Sequence, residues 1–215
     1  NGGDDSFYGG SGNDKIYGGS GDDYVKVGGG TESFYGGSGS DDFISYYGST
    51  GGVNIDLDAN TISGSWGNND KISGFESASG SNTGNDKMYG TSGASRLKGN
   101  GGNNRLYGRY GDDKLYGGSG KDRFDGGNGD DSLYGGSGDD IFHFDKGEGD
   151  DIIKDFENND DTIQFDNFGY LSNAQSALNM ATETGGDVLF NFGADGTLRV
   201  ENTSKAALLN DIEIV

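Results

Sequence analysis

The sequence predicts a mainly β fold, in which short strands joined by glycine-rich turns stack into one elongated coil with a different, α+β segment at the C-terminal end. Three observations lead to this prediction. Residues 108–143 are four consecutive nonapeptides. Position eight of each is a large apolar residue, Leu or Phe, and position four is always glycine. A fixed period of this length is typical of arrays in which each unit stacks on its neighbours.

Each part of the nonapeptide has its own role. Positions seven to nine predict a short strand, in which position eight points inward and its two neighbours point outward. Position six is usually Asp, and glycine at positions one, two and four allows positive φ and close approach of neighbouring backbones. Two nonapeptides make one coil, so residues 18 apart should stack at the strand spacing of about 4.8 Å.

The composition excludes several classes of protein. Of the 215 residues 45 are Gly and 30% are apolar, and the net charge is −21, which would indicate disorder in a chain without a repeat. The absence of Cys excludes disulfides and thiolate metal sites. No apolar run approaches the about 20 residues of a transmembrane helix, so we expect no membrane span. Because the first residue already lies inside a repeat, we expect a fragment attached to an upstream domain.

The period divides the chain into four segments: a first repeat block at 1–44, irregular coils that continue the stack at 45–80, a second repeat block at 81–154, and a cap at 155–215. Since the irregular segment amounts to four periods, Phe43 and Met88 should stay in phase; a separate loop between two stacks is the alternative. Position six of the first block is Asp5, Asp14, Asp23, Glu32 and Asp41. Position six of the second block is Asp86, Ser95, Asn104, Asp113, Asp122, Asp131, Asp140 and Asp151.

The last segment lacks the repeat, and we expect it to close the core at the end of the array. Residues 155–166 predict a strand, and Ser172 with Gln175 predicts a capping box ahead of a helix that Gly185 and Gly186 end. The remaining predictions are a hairpin of 188–192 with 197–201, a short helix at 206–209 and a strand at 212–215.

The position-six carboxylates predict a cation site, because stacking brings them together. Two like charges near 4 Å repel by about 1 kcal/mol in water and about 4 kcal/mol at an effective dielectric constant of 20. A divalent cation between the loops reverses the sign of that energy. Oxygen ligands without His or Cys favour a hard ion, and the irregular loop geometry favours Ca²⁺ over Mg²⁺. Acidic turns without a metal are the alternative.

The pattern G-G-x-G-x-D-x-U-x in residues 108–143 resembles the calcium-binding nonapeptide of the RTX (repeats-in-toxin) family. The resemblance implies a right-handed parallel β-roll, or β-solenoid, with a C-terminal α+β cap. It also implies several Ca²⁺ ions, each held by position-six side chains one coil apart and by carbonyl groups of positions one to four. The ligands implied in this way are Asp5, Gly9, Gly10, Ser11, Gly12, Asp14, Gly18, Gly19, Ser20, Gly21, Asp23, Asp41, Asp86, Gly108, Arg109, Tyr110, Gly111, Asp113, Gly117, Gly118, Ser119, Gly120, Asp122, Gly126, Gly127, Asn128, Gly129, Asp131, Gly135, Gly136, Ser137, Gly138, Asp140 and Asp151.

The same resemblance ranks the carboxylate pairs. The best pairs are Asp113 with Asp131, Asp122 with Asp140, Asp131 with Asp151, and either Asp5 with Asp23 or Asp23 with Asp41. We expect a weaker site for Asp14 with Glu32. Pairs that need Ser95 or Asn104 lack a carboxylate, so sites there should be weak or absent.

The resemblance implies a secreted bacterial module that folds on binding Ca²⁺ after type I secretion and stabilises a larger extracellular protein. Residues 210–215, acidic and then apolar, resemble the uncleaved C-terminal signal of such proteins. We expect no nucleic-acid partner. The only His, His143, stands at an outward repeat position without a nucleophile near it in the sequence, so any catalytic domain should lie upstream.

A non-catalytic module that binds an anionic polysaccharide is the alternative function. Segment 87–123 has eight Lys or Arg and three Asp, and Lys87, Arg105 and Arg123 should form one stripe. A solvated face that balances the acidic loops is the simpler interpretation of this stripe. Tyr residues at position nine should stack in pairs, either as a cross-strand ladder or as a platform for sugars.

Overall fold

The chain forms a parallel β-roll, as the sequence predicted, and the computed structural model describes residues 2–66 and 69–215. None of the helices in these two ranges is long and apolar enough to cross a membrane. The strands are β1 (Ser6–Tyr8), β2 (Lys15–Ser20), β3 (Tyr24–Lys26), β4 (Ser33–Ser38), β5 (Phe43–Ser45), β6 (Val53–Asp56), β7 (Thr61–Gly64), β8 (Lys71–Ser73), β9 (Ser77–Ser79), β10 (Lys87–Tyr89), β11 (Arg96–Gly101), β12 (Arg105–Tyr110), β13 (Lys114–Ser119), β14 (Arg123–Asn128), β15 (Ser132–Ser137), β16 (Ile141–Phe144), β17 (Asp150–Ile153), β18 (Thr162–Phe165), β19 (Ala181–Thr184), β20 (Asp187–Asn191), β21 (Thr197–Val200) and β22 (Ile212–Ile214).

The strands of successive half-coils belong alternately to opposite sides of the roll. Sheet one has the strand order β1-β3-β5-β9-β11-β13-β15-β17-β21-β20-β19. Sheet two has the order β22-β18-β16-β14-β12-β10-β6-β7, and sheet three has the order β2-β4-β8. In the second block Leu115 pairs with Leu133, and Leu106 pairs with Phe124, so the 18-residue coil is confirmed.

One large apolar side chain from each half-coil fills the interior. Leu97, Leu106, Leu115, Phe124 and Leu133 are all fully buried, whereas the residues on either side of them are not. Phe124 and Phe142 stack one coil apart with ring centroids 4.9 Å apart. The core therefore consists of two facing columns, one from each side of the roll, in which side chains one coil apart stack at the strand spacing. The burial follows the alternation predicted for positions seven to nine.

The irregular segment contains a hairpin that the periodicity did not predict. β6 and β7 pair antiparallel, and β6 also pairs parallel with β10, so the hairpin forms the end of sheet two. On the opposite side, β5 pairs with β9 and β9 pairs with β11, which joins the two repeat blocks through sheet one. The division of the chain into four segments stays a prediction.

The phase predicted around Phe43 is wrong by one residue. Val25 pairs with Ile44, not with Phe43, because the coil between these strands contains one additional residue. Ile44 is fully buried, and Phe43 faces the outer surface of sheet one, where it stacks on Tyr24. Phe43 therefore does not stay in phase with Met88, whose side chain lies in the core beside Ile55.

The C-terminal segment closes the roll with two strands and a hairpin. β18 and β22 extend sheet two, β21 extends sheet one, and the antiparallel β20–β21 hairpin confirms the predicted one. The helix α1 (Ala174–Leu178) is shorter than predicted and ends at Asn179, far ahead of Gly185. Its capping box uses Asn173 and Ser176 instead of Ser172 and Gln175. Two 3₁₀ turns, Gly193–Asp195 and Leu208–Asn210, complete the cap.

Candidate metal centres

The position-six side chains form a hydrogen-bonded ladder along each side of the roll. The backbone N–H of Asp113 donates to Asp131 Oδ1 at 2.8 Å, and that of Asp122 donates to Asp140 Oδ1 at 2.8 Å. The same bond joins Asp5 to Asp23 and Asp131 to Asp151, each over one coil. Since Oδ1 of each carboxylate is fixed by this bond, the direction of Oδ2 is fixed as well.

The second carboxylate oxygen has no hydrogen-bond partner at most of these positions. These buried oxygens without a partner in the described part of the chain belong to Asp5, Asp14, Asp23, Glu32, Asp42, Asp113, Asp122, Asp131 and Asp140. A buried, ionised oxygen without a hydrogen bond is strongly unfavourable. The regular row of them therefore indicates that something other than a protein N–H or O–H group satisfies these oxygens.

Position one shows where a ligand would sit. A Cβ atom added to Gly117 would lie 2.7 Å from the carbonyl oxygen of Gly135, one coil further on, and closer still to Asp122 Oδ2. Gly108 has the same surroundings, with Asp113 Oδ2 and the carbonyl oxygen of Gly126. Carboxylate and carbonyl oxygens thus converge on one point without a hydrogen atom between them. A side chain at Gly108 or Gly117 would therefore collide with these oxygens, and oxygen atoms are the ligands that Ca²⁺ prefers.

Burial raises the pKa of the carboxyl groups in this row, because the protein replaces the water that would solvate their charge. The pKa of Asp113 rises to about 8, that of Asp131 to about 7 and that of Asp122 to about 6. The N–H group bonded to each carboxylate opposes this effect but is weaker. A cation beside such a group favours its charged form, so metal and proton compete for the same oxygens.

Three position-six residues have an internal donor instead. Asp86 Oδ2 accepts the N–H of Ser81 at 2.8 Å, and the Ser81 hydroxyl lies 3.0 Å from Asp86 Oδ1. The Asn104 side-chain amide donates to the carbonyl oxygens of Gly102 and Gly117 at 3.3 and 3.4 Å. Ser95 Oγ accepts the N–H of Thr91 at 3.0 Å. The protein therefore satisfies these sites itself, and Asp86, unlike Asp113 and Asp122, has no buried oxygen without a partner.

Three further carboxylates occupy position six of the ladder, although the strict nine-residue period did not predict them. The N–H groups of Asp23, Glu32 and Asp140 donate to Asp42, Asp70 and Asp161 at 2.7, 2.9 and 2.9 Å. Each acceptor stands two residues before an inward Ile, and the D-x-U triplet is the local signal that could have found it. The triplets are Asp42-Phe-Ile44, Asp70-Lys-Ile72 and Asp161-Thr-Ile163.

The placement predicted for Asp41 is wrong. Asp42 takes its position in the ladder, and Asp41 forms a 2.8 Å ion pair with Arg96 on the outer surface. Glu32 does lie in the row, fully buried with both carboxylate oxygens unpartnered, next to Asp70. Burial raises the pKa of Glu32, and the neighbouring Asp70 carboxylate raises it further.

The predicted carbonyl ligands lie in the turns and in the ends of the longer strands. Gly118 pairs with Gly136, and Ser119 pairs with Ser137, so these turns stack in register one coil apart. Gly118 has a φ of 110°, where an L side chain would be strained. Arg109 takes the same left-handed conformation at position two, with a φ of 84°. Its guanidinium group compensates by bonding both oxygens of Asp56, at 2.8 and 2.7 Å.

The donor set as a whole fits calcium. Nowhere in residues 2–66 and 69–215 do three or more His, Asp or Glu side chains gather around one point, so a cation here also needs main-chain oxygens. Stacked turns place a carbonyl oxygen of the next coil near the free Oδ2 atom, as at Gly108 and Gly117. Whether each of the predicted ligand residues contacts an ion stays a prediction.

The two predicted surface features are present. Lys87, Arg105 and Arg123 stand in register on sheet two. The predicted Tyr pairs stack with ring centroids 4.5 to 4.7 Å apart: Tyr17 with Tyr35, Tyr89 with Tyr107, and Tyr116 with Tyr134.

Comparison with protein families and solved structures agrees with this geometry. Four copies of the RTX calcium-binding nonapeptide repeat match, at residues 1–31, 8–43, 81–115 and 116–148. The extracellular lipase LipA from Serratia marcescens has a similar fold, with a TM-score of 0.50 and 19% identity over 99% of this chain. The chain spans 38% of the length of that lipase.

A second solved structure is the AlgE6R3 subunit of the mannuronan C5-epimerase from Azotobacter vinelandii, which is 28% identical over 60% of this chain and 77% of its own, with a TM-score of 0.30. No curated protein matches the chain.

Exchanging the acid and the amide between two sites tests whether the free Oδ2 atoms bind the cation. We expect Asp122→Asn to bind fewer Ca²⁺ ions, because its amide can donate to Gly135 as Asn104 donates to Gly117. We expect Asn104→Asp to destabilise the metal-free fold by about 1–3 kcal/mol, because a donor becomes an unpaired buried acceptor. Calorimetry gives the number of ions, and urea unfolding in EDTA with a stabilising osmolyte gives the stability. Unchanged stoichiometry in Asp122→Asn would contradict the assignment.

The raised pKa values predict that the metal-free fold is more stable in acid. The ordinary pKa of 3.8 applies to the unfolded chain, and values of about 6 to 8 apply to the folded chain. The folded form thus binds more protons, and its stabilisation is complete below about pH 4 and is lost as the pH rises through about 6 to 8. The folded fraction in EDTA, measured by far-UV circular dichroism, should therefore fall as the pH rises over this range. Asp113→Asn should flatten the curve, whereas the control Asp112→Asn, at the exposed neighbouring position, should not.

Proposed function

This chain belongs to the family of RTX calcium-binding nonapeptide repeats, and on that premise we propose that it is a calcium-dependent folding module of a secreted protein. RTX repeats bind Ca²⁺, and the β-roll that they form is a non-catalytic structural unit. The observation that carries the proposal is the row of buried Oδ2 atoms that face carbonyl oxygens without a donor. Folding creates this arrangement, so folding and cation binding are coupled.

The coupling follows from electrostatics. With a cation absent, stacking the coils moves ionised carboxylates out of water and brings them next to other acceptors, which opposes folding. Bound Ca²⁺ supplies the positive charge that the site lacks. Because the unfolded chain has no such site, the binding free energy becomes folding free energy.

Secretion follows from this coupling as part of the proposal. Extracellular calcium modules have dissociation constants of about 10⁻⁴–10⁻³ M. At the much lower free Ca²⁺ of a cytosol, the chain would remain unfolded and able to pass a type I secretion channel, and it would fold outside. Residues 210–215, the proposed secretion signal, contribute β22 to the edge of sheet two in the folded state.

The proposed role in the whole protein is to stabilise an upstream domain. The cap, with β18, β21 and β22, covers the last coils of both long sheets, so the roll is closed at its C-terminal side. Any activity of the whole protein would belong to a domain outside this chain.

A titration of the EDTA-treated chain with CaCl₂, followed by far-UV circular dichroism, tests the folding switch. We expect a cooperative transition from coil to β structure at about 10⁻⁴–10⁻³ M Ca²⁺. MgCl₂ should not produce it, because Mg²⁺ requires a regular octahedral site and loses its water reluctantly. A chain that is already folded in EDTA at neutral pH would contradict the proposal.

A second candidate function, binding of an anionic polysaccharide, is supported by the basic stripe. Lys87, Arg105 and Arg123 stack one strand apart, and none of them forms an ion pair with a described carboxylate. Arg123 donates to the Gln164 side chain, and the Lys87 ammonium lies 5.0 Å from the centre of the Tyr89 ring. Three unpaired cations in a row on a chain of net charge −21 form a local attractive surface for a polyanion.

Retention on immobilised heparin in saturating Ca²⁺ tests the stripe. The triple variant Lys87→Ser, Arg105→Ser and Arg123→Ser should elute at clearly lower salt, because retention depends on opposing charges. The matched control Lys15→Ser, Lys71→Ser and Lys114→Ser removes three exposed positive charges elsewhere. If the two variants eluted at the same salt concentration, the loss of retention would depend only on net charge. That result would contradict a specific binding surface at the stripe.

A further inference from the structure

A cleft of about 380 Å³ lies where the turns of the second repeat block lead into the strands of sheet two. Two columns of side chains line it. Asn85, Asn103 and Lys121, at position five of the nonapeptide, form the first column, and Arg105 and Arg123, at position seven, form the second. The volume of the cleft lies within the range of about 300–1,000 Å³ typical of small-molecule sites.

The position-five column has a chemistry of its own. On the other side of the second block, Asp112 stands at this position, and its Oδ1 accepts the backbone N–H of Asp130 at 3.0 Å. In the cleft, amides make the same bond. Asn85 Oδ1 accepts the N–H of Asn103 at 2.8 Å, and Asn103 Oδ1 accepts the N–H of Lys121 at 2.9 Å.

These backbone bonds fix the orientation of both amides. Because Oδ1 of Asn85 and of Asn103 accepts an N–H group, the NH₂ group of each side chain must point the other way. Neither NH₂ group has an acceptor among the residues that the structure describes. The column therefore presents two amide donors and the Lys121 ammonium, whereas Asp112 at the same position presents a free carboxylate oxygen.

The cations of the cleft have few counter-charges. Arg105 and Lys121 are exposed, and neither forms an ion pair with a carboxylate of residues 2–66 or 69–215. Arg123 is half-buried and donates to the Gln164 side chain at 2.9 Å. Arg105 and Arg123 pair in register on neighbouring strands, so their charges repel each other. An anion between the two columns would offset this repulsion.

Two carboxylates lie close to the cleft. Asp122 lines it, but it is fully buried and its Oδ2 lies beside the buried Gly117. Asp139 follows Lys121 at position five of the next coil, where it is exposed and forms no ion pair with that lysine. Salt screens the more distant acidic groups over a Debye length of about 8 Å at physiological ionic strength. The nearest cations and donors therefore dominate the potential inside the cleft.

We propose that this cleft binds a phosphate monoester. The three terminal oxygens of the phosphate point in different directions, so they can accept from both columns at once. A guanidinium group binds phosphate through two parallel N–H···O bonds, and the amides and the Lys121 ammonium bind the remaining oxygens. A planar carboxylate, with two oxygens, reaches fewer of these donors.

The proposed site is distinct from the functions proposed above. Phosphate binding goes beyond calcium-dependent folding. The site shares Arg105 and Arg123 with the basic stripe, but it depends on the position-five donors Asn85, Asn103 and Lys121, which the stripe lacks. It therefore does not depend on polysaccharide binding.

Titration of the full chain in saturating Ca²⁺, followed by heteronuclear NMR, tests the proposal. The probes are glycerol 3-phosphate, glucose 6-phosphate and glycerate, the last of which carries a carboxylate in place of the phosphate. We expect both phosphates to shift the side-chain NH₂ signals of Asn85 and Asn103, and glycerate to bind more weakly. Tighter binding of glucose 6-phosphate would support a phosphorylated sugar as the ligand, and equal binding of the two phosphates would support recognition of the phosphate group alone.

Asn103→Asp is the sharpest variant, because Asp112 makes the same backbone bond at position five and the turn should be preserved. The change replaces an NH₂ donor with a charged acceptor, so glycerol 3-phosphate should bind about tenfold or more weakly. Asn13→Asp is the matched control. Asn13 Oδ1 accepts the N–H of Thr31 at 3.1 Å in the first repeat block, and this variant should bind the probe as the parent chain does.

A pair of lysines provides a second comparison. Lys121→Gln should weaken binding of glycerol 3-phosphate by about tenfold, because a charge-assisted hydrogen bond is lost. Lys114→Gln removes the same charge from an exposed position on sheet one and should not change the affinity. Circular dichroism in Ca²⁺ verifies that each variant folds. Equal binding of glycerate and glycerol 3-phosphate, equal losses in the two lysine variants, or equal losses in the two Asn→Asp variants would each overturn the proposal.

Discussion

The meeting of two hydrogen-bond acceptors inside each turn is the constraint on which the rest of the roll depends. A buried carboxylate oxygen and the carbonyl oxygen of the next coil converge on position one, as Asp122 and Gly135 do at Gly117. This arrangement explains why residues 108 and 117 are glycines, since a side chain there would collide with the two oxygens. It also explains why stacking is unfavourable without a positive charge, because unpaired acceptors lose water and gain no donor.

The middle of the roll avoids this constraint. At Asp86, Ser95 and Asn104, the hydrogen that completes the site comes from Ser81, Thr91 or the Asn104 amide itself. These coils adjoin the hairpin of β6 and β7, where the regular repeat is interrupted. The roll therefore has two acidic blocks with unpartnered carboxylate oxygens, on either side of a segment that satisfies its own polar groups.

Much of the fold could be predicted from the sequence because the position of a residue within the nonapeptide determines its conformation and burial. The inward residue, the 18-residue stacking and the stacked Tyr pairs all follow from position in the period. Counting failed where a coil changed length, as it did between Val25 and Ile44. The triplet of an acid, any residue and an inward apolar residue survives such changes, and it identifies Asp42, Asp70 and Asp161 correctly. The cap helix was overestimated, because apolar spacing in a short segment cannot distinguish a five-residue helix from a helix followed by a strand.

The single additional residue before β5 connects the interior of the roll to its surface. It leaves the carboxylate ladder intact, because Asp42 replaces Asp41, and it leaves the core intact, because Ile44 replaces Phe43. What changes is the outside, where an aromatic ring and a carboxylate now stand beside Arg96. A change in coil length can therefore alter the outer surface of sheet one while the core and the carboxylate ladder keep their register.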